Sequence, residues 1–414
     1  MHTSRSFAAA VCVTTLLLTA CARDAAPPDA AAASVDPLSI HRQALTLDTH
    51  LDTPMWLSVE GWRIEDRHSV ADDGSQVDLP RIEDGALDGG FWATYIPQGP
   101  LTPEGRAAAL QAGLTRIGEI RTMVETHPDR FALALQAEDA ARIAATGRHF
   151  VFLSMENGYP LGLEPVALLA RFYDLGLRMA SPVHFLNNDL ATSSTDANAA
   201  GLPGLTPLGE QWVAEANRLG ILIDASHASD AALDKMLELS RAPIILSHSG
   251  ARAVFDHPRN LDDEHLRRVA DSGGVIQVTA YSDYLIANAP NAERQAAIRD
   301  ARAGASRTLE GRRAQQAKLR EVDARYPANR ASIDDFINHL LHVIRVAGVD
   351  HAGIGLDFDG GGGVTGLDEA SDYPRITERL LAEGYSREDV EKIWGGNALR
   401  VLAQAQQLAG PAQR

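Results

Sequence analysis

Disulfide chemistry has no place in this chain. Its 414 residues include two cysteines, Cys12 and Cys21, both near the N-terminus, so no covalent framework can brace a domain. Excess positive charge is missing too: 38 Lys and Arg stand against 55 Asp and Glu, a formal net charge of −17. Nucleic acids and anionic bilayer surfaces are bound through clustered Lys and Arg, so neither is expected as the main partner. No glycine-rich phosphate loop follows the first strand candidate, which argues against a doubly wound nucleotide-binding sheet. The apolar run near the start, Phe7 to Thr19, is broken by Thr14 and Thr15 and is too short to cross a bilayer as an ordinary helix. What is present is the balance of a globular protein with a sizeable core, 45% hydrophobic and 22% charged.

That N-terminal run has the form of an export signal: Arg5 precedes it and small residues follow. It ends Leu18-Thr19-Ala20-Cys21, which resembles a bacterial lipobox, with Cys21 as the lipidated first residue of the mature chain. Ordinary cleavage after Ala22 is the other reading, because Ala20-Cys21-Ala22 also has the spacing of a small-residue site. Cysteine placement favours lipidation, since Cys12 lies inside the signal and Cys21 stands where lipid would be attached. Ala22 is not the acidic residue that retains such lipoproteins in the inner membrane. The expectation is therefore an exported chain, lipid-anchored to the bacterial outer membrane and facing the periplasm. On this reading residues 1–20 are signal, 21–38 an Ala- and Pro-rich tether, 39–405 the folded domain and 406–414 a tail.

From about residue 39, short apolar runs alternate with helical patterns, as in βαβ units around a parallel sheet. Eight strands are predicted: Leu45–His50, Phe91–Ile96, Phe150–Glu156, Ala180–Phe185, Ile221–His227, Pro243–His248, Gly274–Ala280 and Ala352–Asp357. Helices are predicted between them at Pro165–Leu175, Thr206–Leu219 and Asp230–Leu239. Eight such units imply an α/β fold, a closed (β/α)₈ barrel with its chemistry at the C-terminal ends of the strands. The Arg-, Ala-, Glu- and Gln-rich stretch 288–330 reads as a helical insert between strands seven and eight, either a lid or dimer contact or a solvated decoration.

Polar residues fall where such a barrel does chemistry. Strand one ends in His50-Leu51-Asp52, and residues two apart in an extended segment point the same way, so both can reach one metal. Glu156 ends strand three, His184 lies near the end of strand four, and His227 and His248 end strands five and six. Asp357 ends strand eight, in Asp357-Phe358-Asp359-Gly360. Any one of these has an ordinary structural explanation. Six strands delivering a His or carboxylate at one end do not, because packing has no reason to arrange it, and these ligand types suit zinc.

With these residues the chain resembles the membrane (renal) dipeptidase family, peptidases of the amidohydrolase superfamily. The likeness runs from about Leu45 to Leu402, the insert apart. It is carried by Gly89-Gly90-Phe91-Trp92, Ile223-Asp224-Ala225-Ser226-His227, Ser247-His248-Ser249 with Arg259-Asn260, the Asp357–Gly360 turn and Gly396-Asn397-Ala398-Leu399-Arg400-Val401. The resemblance implies two zinc ions, one on His50 and Asp52, the other on His227 and His248, with Glu156 bridging them. A hydroxide between the ions would then attack the amide of an L-Xaa-L-Xaa or L-Xaa-D-Xaa dipeptide. Many amidohydrolases use His-x-His and a carboxylated Lys bridge; His50-Leu51-Asp52 and Glu156 depart from that pattern in the way dipeptidases do. By the same resemblance Asp357 is general base and then acid, and His184 donates to the developing oxyanion. Arg259 grips the terminal carboxylate, with Arg252 as its rival and His257 close by. Asp359 is expected to support the site or form its turn; Tyr281 either lines the pocket or belongs to the core. Relatives are often dimers, so a homodimer is an implied partner state. Two other readings remain: a different binuclear amidohydrolase such as a lactonase, and a lipid-anchored binding protein that has lost catalysis.

Overall fold

The computed structural model describes residues 36–304 and 306–410. The signal, Cys21 and most of the expected tether lie outside them. The first helix, Pro37–His41, begins within the stretch read as tether, and the last, Asn397–Gln407, runs into the stretch read as tail.

Among the described residues ten strands are all paired in parallel: β1 (Leu47–Leu51), β2 (Gly89–Tyr95), β3 (Phe131–Leu133), β4 (His149–Glu156), β5 (Leu177–Ala180), β6 (Leu222–Ile223), β7 (Ile245–Ala251), β8 (Asn260–Leu261), β9 (Val275–Val278) and β10 (Ala352–Ile354). One ladder runs β1-β2-β4-β5-β6, the other β10-β9-β7-β8. Bridges Asp224↔Ile245 and Leu51↔Phe358 join them, closing eight strands into the expected barrel. β3 and β8 are side strands on β4 and β7 that the sequence did not announce, being only three and two residues long.

Barrel strands are covered on both faces, so they are apolar throughout or give each polar side chain a task. β1, fully buried, reads Leu-Asp-Thr-His-Leu. Thr49 Oγ1 donates across the interior to the Ser247 carbonyl (2.7 Å) and the Ile354 carbonyl (3.1 Å), pinning β1 to β7 and β10. Asp48 accepts from the His50 amide (2.9 Å), the Leu356 amide (3.2 Å) and the Tyr373 hydroxyl (2.7 Å). The fourth barrel strand sits earlier than predicted, at Leu177–Ala180. Arg178 interrupts its apolar run, yet is buried by donating to the Leu135, Tyr173 and Leu177 carbonyls. His184 therefore stands on the loop after the strand.

Helices start and stop where local chemistry says they should. In Pro207–Leu219, Thr206 caps the first turn by accepting from the Gly209 amide, Pro207 fills a position needing no N–H, and left-handed Gly220 (φ 74°) ends it. Ser229 likewise caps Asp230–Leu239. The insert lies between β9 and β10, as predicted. It comprises Ala292–Arg302, with only Ala301 buried, and Leu309–Arg325, with no buried residue. Its docking is to the loop after β1: the Glu60 amide donates to the Arg307 carbonyl (2.7 Å), the Leu309 amide to the Glu60 carbonyl (2.9 Å), and Arg312 lies 5.1 Å over the Trp56 ring.

Candidate active site

β1, β4 and β7 and the loops after β5, β6 and β10 bring the expected residues to one point. Glu156 is at its centre, and its two oxygens face different neighbours. Oε2 lies 3.6 Å from His50 Nε2; Oε1 lies 3.0 Å from His227 Nε2, 3.4 Å from His248 Nε2 and 3.6 Å from His184 Nε2. His50 Nε2 is also 3.3 Å from Asp52 Oδ2 and 3.8 Å from Asp357 Oδ1. All seven side chains are buried. Distance alone does not separate His184 from the expected ligands, since it falls within the same cluster.

Backbone strain supports the placement. His227 (φ 69°), Asp357 (φ 63°) and Asp359 (φ 68°) are held in the left-handed region, which costs a non-glycine residue of order 1–3 kcal/mol each. Gly360 is needed for a different reason: a Cβ there would come within 2.0 Å of Asp52 Oδ2 and 2.3 Å of Asp357 Oδ1.

Supporting hydrogen bonds fix the rings. His248 Nδ1 lies 2.8 Å from Ser247 Oγ, which donates to Asp224 Oδ2 at 2.6 Å. Asp359 does not enter the cluster. It receives the Thr53 hydroxyl (2.8 Å), the Trp56 indole N–H (3.0 Å) and the Gln76 amide (2.7 Å), and so ties the β10 turn to the loop after β1.

Electrostatics mark the site as unfinished by protein atoms. Burial drives His227 and His248 well below the ordinary histidine value, helped by Arg259, so both are neutral and can offer lone pairs. Their Nε2 atoms nevertheless face each other at 2.8 Å. Burial works to lower His50 as well, but the charges of Glu156 and Asp52 hold it well above its usual range. Burial raises Asp357 far above a normal carboxylate, and Asp52 and Glu156 add to this by repulsion. His50 Nε2 and His227 Nδ1 are buried with no hydrogen-bond partner. Three crowded carboxylates and converging imidazole nitrogens fit divalent cations, which would relieve the repulsion and occupy the lone pairs.

The two arginines offered by the sequence part company here. Arg252 is committed to Asp230 through two contacts of 2.9 Å. Arg259 is 3% exposed, donates from Nη2 to the His248 carbonyl (2.9 Å), lies 5.2 Å over the Tyr284 ring and has an unpartnered Nε. No carboxylate pairs with it among the described residues. Over the cluster lies a cavity of about 280 Å³ whose lining includes Met55, Ala93, Tyr95, Arg116, Phe185 and Tyr281. Tyr281 is thus pocket, not core. Tyr95, Arg116 and Tyr284 escaped the sequence reading. For Tyr95 a signal existed: Ala93 and Tyr95 share one face of a strand by period two. Arg116 sits mid-helix and carried none.

The membrane dipeptidase (peptidase family M19) model matches residues 37–414, essentially the whole folded domain. This chain belongs to that family. The chain is similar to Dipeptidase tcpJ of Claviceps purpurea, 30% identical over 84% of this chain and 74% of that protein, and to Dipeptidase 3 of Rattus norvegicus, 29% identical over 90% and 67%. Among solved structures, the probable dipeptidase PvdM from Pseudomonas aeruginosa superposes with a TM-score of 0.77 at 30% identity, covering 90% of this chain and 98% of that one. A Rhodobacter sphaeroides metallopeptidase, liganded with a phosphinate mimic of the dipeptide L-Ala-D-Ala, gives 0.67 at 25% identity, covering 87% and 99%. The M19 enzyme described here is accordingly a metallo-dipeptidase on a TIM-barrel-like fold.

Proposed function

We propose that this metallo-dipeptidase binds two zinc ions and hydrolyses free dipeptides, with an L-residue first and an L- or D-residue second. The observation that carries the reading is Arg259: a buried guanidinium that pairs with no carboxylate among the described residues, in a site where the two oxygens of Glu156 face different histidines. A buried charge without a partner is costly, and a terminal carboxylate would complete it through a planar fork of donors.

His50 and Asp52 would hold one ion, His227 and His248 the other, and Glu156 both. When bound, the pair supplies a water acidic enough to act as nucleophile near neutral pH and polarises the scissile carbonyl. Asp357, 3.8 Å from His50 and raised by burial, would take a proton from the attacking water and return it to the leaving amine. His184, lowered to about 3 by burial and the positive charges of Arg259 and His50, stays neutral and can donate a hydrogen bond from Nε2 to the carbonyl oxygen. Tyr95, whose hydroxyl lies 3.5 Å from His184 Nδ1, positions that ring. Arg259 confines the reaction to dipeptides, because a longer chain presents no carboxylate at that depth.

The test is turnover of L-L and L-D dipeptides by protein beginning after Cys21, with and without a chelator, alongside C-amidated controls and metal analysis. Chelator-sensitive cleavage lost on amidation, with about two zinc ions per chain, is the expected result. Cleavage that survives amidation would reassign the site to other amidohydrolase chemistry. The proposal also makes the enzyme an outer-membrane lipoprotein tethered through Cys21 on the periplasmic face, supported by Arg5, the Phe7–Thr19 run and the Leu18–Cys21 sequence. Radiolabelled fatty acid should enter the native chain and not Cys21→Ser.

A further inference from the structure

A dipeptide has one terminal carboxylate, and Arg259 is placed to receive it. A different guanidinium, that of Arg116, is the one that lines the cavity. Arg116 projects from the helix Pro103–Thr126 that follows β2. One end of it is spent: Nη1 donates to the Pro54 carbonyl and lies 3.1 Å from Glu119 Oε2. Among the described residues no acceptor hydrogen-bonds Nε or Nη2, and the side chain is 20% exposed. Burial pushes this guanidinium below its ordinary pKa against the opposing pull of Glu119 and Asp52, so it is partly desolvated and only partly compensated. The same cavity is lined by apolar Met55, Ala93 and Pro97 and by the carboxylates of the site. Free guanidinium donors make stronger hydrogen bonds to an anion than to a neutral acceptor.

Its position says which part of the substrate it meets. Arg259 follows β7 and lies against the His248 carbonyl, whereas Arg116 follows β2 and lies against Pro54. In the closed strand order those two stations are on opposite sides of the mouth, with Glu156 of β4 between them. A dipeptide whose carboxylate is on Arg259 and whose amide lies over Glu156 sends its first residue towards Arg116.

We propose that Arg116 reads an acidic side chain on the first residue, making the enzyme selective for L-Glu-Xaa and L-Asp-Xaa dipeptides over their amide counterparts. This rests on the dipeptidase reading above. Glu119 is the internal competitor: it occupies one nitrogen and moderates the preference.

The experiment compares kcat/KM for L-Glu-L-Ala with L-Gln-L-Ala, and for L-Ala-L-Glu with L-Ala-L-Gln, in wild type, Arg116→Gln and Arg116→Lys, with folding checked by thermal melting. The expected wild-type ratio for the first pair is about tenfold or more in favour of Glu. It should fall to near one in Arg116→Gln, with partial recovery in Arg116→Lys, while the second pair's ratio stays independent of residue 116. A first-pair ratio unchanged by Arg116→Gln overturns the inference, and so does a dependence found only in the second pair; both leave the dipeptidase reading standing. Failure to hydrolyse any dipeptide overturns both. If Arg116→Gln does not fold, Glu119→Gln serves instead: the ratio must rise by a few-fold, and an unchanged ratio counts against Arg116.

Discussion

Among the described residues, two regions gather histidine and carboxylate groups whose ligand atoms lie within 4.8 Å of one another: the barrel mouth and, on the flank, Asp230, Asp262 and His265. On the flank every group has an employer. Asp230 is paired with Arg252 at 2.9 Å. Asp262 caps the helix Asp263–Asp271 and accepts from the His265 ring at 2.9 Å, and the other ring nitrogen faces Asp234 at 3.3 Å. At the mouth the groups are buried, repel one another and leave ring nitrogens without partners. Closeness of ligands is therefore a poor marker of a metal site; unmet electrostatic demand is a better one.

The comparison breaks first at Glu156. Glu156→Gln should reduce bound metal from about two ions per chain to one or fewer, and lower kcat/KM by roughly a thousandfold or more. Metal analysis beside steady-state kinetics checks it, and retention of both ions would mean the carboxylate does not bridge. Arg259→Ala is next. It should cost about 3–4 kcal/mol in kcat/KM, a few hundredfold, for free dipeptides, while leaving metal content at the wild-type level.

His41 is a third kind of histidine, buried but satisfied at both nitrogens by Thr377 Oγ1 (2.8 Å) and the Gly85 carbonyl (2.9 Å). Burial lowers it to about 4. The unfolded chain takes up a proton here as pH falls through about 6.5, and the folded one does not until about 4. Its contribution is thus complete above pH 6.5 and declines between 6.5 and 4 by about 1.4 kcal/mol per pH unit. Denaturant titrations of wild type and His41→Gln across that range should converge on acidification; parallel curves would contradict the assignment. The smallest effect belongs to the flank: Asp262→Ala should lose about 1 kcal/mol of capping stability and no metal. A drop in metal content there would make the flank a site after all.

How much of this could be read in the sequence depended on distance along the chain. Ligands at strand ends were legible, because a strand's end is a local property and the barrel turns eight local ends into one place. Arg259 was preferred to Arg252 only through the resemblance carried by Arg259-Asn260; the physical distinction is Asp230, which meets Arg252 only in the folded state. The strand Leu177–Ala180 was misplaced because Arg178 reads as a surface residue until its carbonyl partners are in view. Arg116 was invisible for a similar reason: only the docking of a long helix against Pro54 brings it to the cavity.

The central carboxylate has one more consequence. Where two cations are bridged by a carboxylated lysine, the ligand must be made after folding from dissolved carbon dioxide, and the site's readiness follows the supply of that gas. Here Glu156 is encoded and is held with an oxygen towards each set of ligands. On the two-metal reading proposed above, loading of this centre would need no carbon dioxide, so apoprotein reloaded in carbonate-free buffer should regain its ions as completely as in air.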